Sequence, residues 1–359
     1  MFNFQTTIFF PIIVAFLTTV IATPVSLIFI KKLGIIDDPK KHVHPAIIHK
    51  KPIPRAGGIP LFIGVFIPSL IFLPIENITI AIFISSFICL FIGVLDDKFD
   101  LSPYLRFIVN IIAAIIVVVA GVHVPFITNP FGGILFLNSL NIPFLGSLEI
   151  SFISYIVAIL WIVWVINMLN WSKGVDGQMP GIVAISAIII GVLSLRFPVL
   201  DQYSLMSAML SFIIAGASLG FLIFNFYPAR IFPGYGATAI YLLLAVASIF
   251  SGAKLATAIL VMGVPMTDGA FTIARRILSG RSPFWHDRKH LHHLLLSLGF
   301  GQRRIALFYW LVSAILGSLS LVLSSKGKLF AIIMLVIIAG GTILFLHFFI
   351  ERNKNETGI

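Results

Sequence analysis

Only one cysteine, Cys89, occurs in the 359 residues, so no intrachain disulfide can brace the fold, and the thiol sits inside an apolar run. Charge is nearly as scarce. Asp, Glu, Lys and Arg together make up 10% of the chain, against about 25% in soluble domains. Acids are the rarer sign, 13 against 24 Lys and Arg. Internal repeats, low-complexity tracts and heptads are missing, which excludes solenoids, disordered linkers and coiled coils. A cleavable leader is not expected either, because the first apolar stretch has no basic flank before it and is too long.

What is present is apolar sequence, with hydrophobic residues at 59%. They fall in runs near 5–30, 57–75, 77–95, 105–121, 152–170, 180–196, 204–224, 237–253, 255–274, 305–324 and 329–350. A bilayer needs roughly 20 such residues per crossing, so the pattern predicts an all-α integral membrane protein of about eleven transmembrane helices. Residues 1–359 are read as a single polytopic membrane domain. Of the 24 Lys and Arg, only Arg196, Lys254, Lys326 and Lys328 fall in loops on one face. The crowded face is therefore expected in the cytoplasm, with the N-terminus outside. The formal charge of +11 follows from that topology and implies no nucleic acid. Segment 122–151 breaks the pattern: Pro125, Asn129-Pro130, Gly132-Gly133, Asn138, Asn141, Pro143 and Gly146 separate short apolar runs. Turn residues so placed predict a short extracytoplasmic β-hairpin or re-entrant piece.

Reactive side chains gather in the loops of the basic face, 31–56, 96–106, 167–179, 225–238 and 275–304. Asp96-Asp97 ends the third run, and two adjacent carboxylates near hydrocarbon repel each other unless a cation joins them. Mg2+ binds through one or two carboxylates plus substrate phosphates; a solvated helix end is the structural alternative. His290-Leu291-His292-His293 would set His290 and His293 on one helix face. No nearby Cys or paired acid completes a zinc set, and with Arg281, Arg288 and Lys289 alongside the imidazoles suit phosphate oxygens. An interfacial amphipathic helix is the alternative there. Asn167 and Asn170, three apart, would share a face and offer amides, ahead of the Lys173-Gly174-Val175-Asp176-Gly177 turn; a plain helix cap explains the same residues. Asn225 opens a loop whose Phe232 can stack on a base or join an interfacial aromatic belt. Lys51 and Arg55, beside Gly57-Gly58, suit a pyrophosphate or a lipid phosphate, although a positive-inside anchor would look alike. Asp268, an acid inside an apolar run, is a site candidate by position.

Taken in order, these motifs resemble the polyprenyl-phosphate N-acetylhexosamine-1-phosphate transferases. Pro54-Arg55-Ala56-Gly57-Gly58, Leu95-Asp96-Asp97, Asn167-x-x-Asn170, Val175-Asp176-Gly177, Asn225 with Pro228-Ala229, and His290-Leu291-His292-His293 carry the resemblance, which runs from about Asp38 to Arg304. It looks closer to the branch that initiates O-antigen and teichoic-acid linkage units than to the peptidoglycan branch. It implies attack of undecaprenyl phosphate on a UDP-sugar, with release of UMP and Mg2+ (or Mn2+) as cofactor. It also implies Asp96, Asp97 and Asp176 as catalytic and metal-binding acids, with Asp176 and Asn170 positioning nucleotide or pyrophosphate. Asn225 and Phe232 would hold the base, and His290, His292 and His293 the phosphate. The bacterial inner membrane would be the location, the bilayer a partner, and a homodimer is left open. Two positions depart from the pattern: Lys173 and Tyr235 stand where the family usually has Asp. The second of those acids is a metal ligand in the family, so Mg2+ geometry is put in question, and Lys173 can either take over phosphate neutralisation or mark a different donor. A non-catalytic relative that binds polyprenyl phosphate is the alternative reading. A transporter would instead place polar residues at mid-bilayer in two similar halves, and neither is seen.

Overall fold

The computed structural model describes residues 5–40, 48–138, 141–145, 148–196, 201–250, 255–285, 287 and 289–357. After a π-helical turn at Gln5–Phe9, the helices are α1 (Phe10–Lys32), α2 (Gly58–Phe72), α3 (Asn77–Phe99), α4 (Pro103–Val119), α5 (Phe152–Trp171), α6 (Gln178–Ser194) and α7 (Gln202–Asn225). They continue as α8 (Thr238–Phe250), α9 (Leu255–Val261), α10 (Gly263–Leu278), α11 (Leu291–Ser297), α12 (Gln302–Val322) and α13 (Ser325–Thr357). Strands are short: β1 (Ile36–Asp37) with β2 (Ile53–Pro54), β3 (Phe126–Thr128) with β4 (Ile134–Phe136), and β5 (Asn141–Leu145) with β6 (Leu148–Ser151). Each pair is antiparallel.

The all-α reading holds, and the count of about eleven spans is not confirmed. Among the described residues six helices are long and apolar enough to cross a bilayer, or seven if the pair α9 and α10, bent by 85°, is one broken span. Four expected spans, α2, α4, α6 and α8, are helices of 13 to 17 residues. At about 1.5 Å per residue, α4 and α6 sit at the lower limit for a crossing, and the described parts of α2 and α8 lie below it. The strand signal in 122–151 is also met, as two ribbons rather than one hairpin.

Helix α7 is the hub and touches α1, α2, α6 and α8. Backbones come close on its α1 side because Gly216 has no side chain; a Cβ there would stand 2.2 Å from the Ile12 carbonyl oxygen. Small residues take this role where apolar surface gains little by leaving lipid. Buried polar bonds fasten other helices, as in Trp161 Nε1 donating to Ser248 Oγ at 2.9 Å. Apolar side chains such as Ile21, Phe29, Leu160, Leu311, Phe345 and Phe348 remain exposed, which fits lipid-facing surfaces of a multi-pass membrane protein.

Candidate active site

Loops from across the sequence meet around a cavity of about 550 Å³ at one end of the bundle. Its first wall grows from the end of α3. Neighbouring residues on a helix point about 100° apart, and Asp96 and Asp97 accordingly find different partners. Asp96 turns to α4, where Arg106 Nη1 donates to both its oxygens at 3.1 and 3.0 Å and Leu101 N donates to Oδ1 at 3.0 Å. Asp97 Oδ1 accepts from Tyr235 N at 2.9 Å and lies 3.5 Å from Arg55 Nε. Its Oδ2 is buried without a hydrogen-bond partner. Gly234 closes over that oxygen: with φ of +68°, a Cβ on it would stand 2.0 Å from Oδ2.

The β1–β2 ribbon supplies Arg55, which also reaches Asp37 Oδ2 at 3.7 Å. It is laced to the loop after α7 by Phe232 N donating to Pro54 O at 2.8 Å and Gly57 N to Phe232 O at 2.9 Å. The turn after α5 brings Lys173, whose Nζ donates to Gly234 O at 2.8 Å and stands 5.7 Å from the centre of the Tyr235 ring. Arg106 lies 5.1 Å from the same ring, and Asn110 Nδ2 donates to the Tyr235 hydroxyl at 3.1 Å. Burial, reinforced by Arg55 and opposed by Asp97, pulls the Lys173 ammonium down to about 8. Burial likewise pushes the Tyr235 phenol up to about 12. Three residues on, Asp176 Oδ2 accepts from Ala229 N at 2.9 Å. Burial raises this carboxyl above its ordinary range, partly offset by that amide and by His49.

The histidines form the facing wall. Asp268, on α10, holds both sides of the first: its Oδ2 lies 2.9 Å from His290 Nδ1, and its Oδ1 accepts from Leu291 N at 2.9 Å. His290 is therefore the extended cap before α11 and not part of that helix, which corrects the expected pairing with His293 on a helix face. The rings of His290 and His292 stack at 5.6 Å, and His292 and His293 are 4.3 Å apart. Gly174 makes room for this wall, since a Cβ there would meet His292 Nε2 at 1.9 Å. Burial, then the neighbouring imidazoles, hold His292 well below the usual histidine range, and its Nδ1 has no hydrogen-bond partner. Asp287 accepts from Arg275 Nη2 at 2.8 Å and Arg276 Nε at 3.3 Å. Burial alone would raise that carboxyl, but the Lys289 amide and the two arginines hold it low.

Among the described residues no three His, Cys, Asp or Glu converge as a metal-ligand set, so Asp96, Asp97 and Asp176 do not form the expected trio. Each is already bonded to a cation or to backbone amides. This donor set does not fit a carboxylate-held Mg2+ or Mn2+.

Comparison with known proteins adds the lineage. Residues 79–252 match the model of Glycosyl transferase family 4. Over 336 residues the chain is 31% identical to a Bacillus subtilis protein named "Probable undecaprenyl-phosphate N-acetylglucosaminyl 1-phosphate transferase", covering 90% of this chain and 88% of the relative. The chain belongs to glycosyl transferase family 4. A Mycolicibacterium smegmatis "Decaprenyl-phosphate N-acetylglucosaminephosphotransferase" is 31% identical over 78% of this chain and 75% of its own length. An Escherichia coli "Undecaprenyl-phosphate alpha-N-acetylglucosaminyl 1-phosphate transferase" is 28% identical over 80% and 76%. The resemblance to polyprenyl-phosphate N-acetylhexosamine-1-phosphate transferases is thereby upheld, and the chain is a phosphoglycosyl transferase.

In this family 4 enzyme Asp96, Asp97, Asp176, Arg55, Asn167, Asn170, Lys173, Phe232, His290, His292 and His293 all line the cavity. Lys51, Asn225 and Arg281 do not. Lys51 is exposed beside the β1–β2 ribbon. Asn225 is buried and spent on backbone, accepting from Gly177 N at 3.1 Å and donating to Ile231 O at 2.9 Å. Arg281 is exposed and rests 3.7 Å from the Trp285 ring centre. Arg288 lies outside the described residues. Sequence reading missed Arg106, Arg276, His49 and Asp287, which also line the cavity. Arg106 and Arg276 sit in the end turns of α4 and α10, where a topological anchor also sits, so the sequence carried no signal that set them apart.

Proposed function

We propose that this transferase moves N-acetylglucosamine-1-phosphate from UDP-GlcNAc to undecaprenyl phosphate at the cytoplasmic face of the bacterial inner membrane, initiating a cell-envelope glycan. The observation that carries the reading is the single cavity where the doublet, Lys173, Arg55, Arg276 and the three histidines converge. A phosphate oxygen of the lipid attacks the β-phosphorus of the donor and forms a new P–O bond. The bond from that phosphorus to the bridging oxygen breaks, and UMP leaves with the oxygen and its electron pair. Such transfers need positioning and charge stabilisation more than covalent chemistry. Arg55 and Lys173 suit the diphosphate, and His290, with Nδ1 facing Asp268, keeps Nε2 for a phosphate oxygen. Phe232, edge-on to His49 at 5.0 Å, offers a face for uracil. The names of the relatives support the sugar and the lipid.

Purified protein in detergent, given undecaprenyl phosphate and a panel of UDP-sugars, is expected to release UMP most readily from UDP-GlcNAc. Release from none of them, with and without Mg2+, would turn the reading to a lipid-binding relative. Labelling of cysteines placed at Asp100 and Lys289 tests the sidedness, and both positions should react from the cytoplasm.

A further inference from the structure

Resting on that transferase reading, we propose that Lys173 is a built-in counter-ion for the donor's diphosphate, so that the enzyme binds its nucleoside diphosphate and transfers from it without a divalent metal. The ammonium is held by a backbone acceptor, Gly234 O at 2.8 Å, and lies over the Tyr235 ring. An ammonium has three donors, so two remain for phosphate oxygens in the cavity that Lys173 lines.

The carboxylates beside it have no room for a second cation. Both oxygens of Asp96 are taken by Arg106. Asp97 gives Oδ1 to Tyr235 N and Arg55, and its Oδ2 lies under Gly234, the residue whose carbonyl carries Lys173. Mg2+ asks for near-octahedral oxygen at about 2.0–2.1 Å. To reach Asp96 or Asp97 Oδ1 it would have to displace a guanidinium or an amide; Asp97 Oδ2 has no partner but is covered by Gly234, and a metal there would stand beside the Lys173 and Arg55 charges. The composition of the pair fits the same account. Lys173 and Tyr235 together carry one positive charge, whereas two aspartates joined by one divalent ion sum to none. These two positions therefore hold positive charge without a metal, where an acid pair needs the ion merely to reach neutrality. A fixed ammonium also needs no reorganisation when charge builds on the departing UMP.

The test uses the full chain in detergent and two readouts. By titration calorimetry, UDP should bind with the same affinity in EDTA as in Mg2+, within about twofold, since no metal contact is lost. Lys173→Met should weaken UDP about tenfold or more in EDTA, the order of one lost charge-assisted contact, and Lys173→Arg should retain most of the binding. By electron paramagnetic resonance, Mn2+ added with UDP should stay as free as without protein, and the Lys173→Asp, Tyr235→Asp double variant should acquire bound Mn2+. UDP that binds only with Mg2+, or not at all, overturns the proposal, as does Mn2+ bound stoichiometrically by the wild type. The two readings fail separately. UMP release that strictly needs Mg2+ removes this one and keeps the transfer; metal-free UDP binding without any UMP release removes the transfer and keeps the counter-ion.

Discussion

Asp97 and Asp268 are both buried, one in the cavity wall and one behind His290, and the chain pairs them differently. Asp97 stands among fixed charges, Arg55 and Lys173, with the Tyr235 amide closing the set. Asp268 meets one imidazole and one amide, His290 and Leu291. The first arrangement places cations, charged at neutral pH, where a diphosphate can enter. The second orients a ring and holds its Nδ1 proton against the carboxylate. One side is built to neutralise, the other to aim a hydrogen bond, which is the division of labour that phosphoryl transfer asks for.

The comparison breaks most severely at Gly234. Gly234→Ala forces a Cβ against Asp97 Oδ2 at a positive φ, and UMP release should fall by about a hundredfold, as when reacting groups are misplaced by an ångström. Circular dichroism should still show a helical protein; a variant of normal activity would remove Asp97 from the site. On the histidine side Asp268→Asn keeps the shape and loses the charge that holds His290. Turnover should drop about 10–100-fold, the range for partners that orient a functional histidine. A smaller and reversible contrast comes from pH. Lys173 carries its charge below a value depressed to about 8, so kcat/KM should decline as pH rises through about 8. Lys173→Arg should lose that limb, because a guanidinium stays charged. If both proteins decline together, the limb belongs to another group. The smallest effects are expected at Lys51→Ala and Arg281→Ala. Both side chains are exposed and off the cavity, and surface changes of this kind stay within about twofold in rate or stability. A large loss at either would extend the site beyond its present walls.

Much of the candidate site could be read from the chain, because a buried acid or histidine near hydrocarbon needs a partner and so stands out against apolar runs. Asp96, Asp97 and the histidines stand out in this way, whereas Asp176 and Lys173 draw notice through the family resemblance. The three misplaced residues share one cause. Asn225, Lys51 and Arg281 are of the right chemical type in the right loops, but Asn225 is consumed by the backbone of 177 and 231, and the other two project outward. Arg106 and Arg276 were hidden for the opposite reason: cations at helix ends look like topological anchors until an acid is found against them. The span count is not confirmed because α2, α4, α6 and α8 are short, and the length of an apolar run does not by itself tell a crossing from a shorter helix.

By itself the sequence determined an apolar helical chain with one polar face and an ordered set of motifs, since periodicity and composition act over a few turns. Only the tertiary structure decided that Tyr235 N lies on Asp97, 138 residues away, and that Lys173 meets Gly234 across 61. Those pairings depend on how α3, α5 and α7 pack around α8, and helix packing is settled by side-chain shape across the whole bundle rather than by any local pattern.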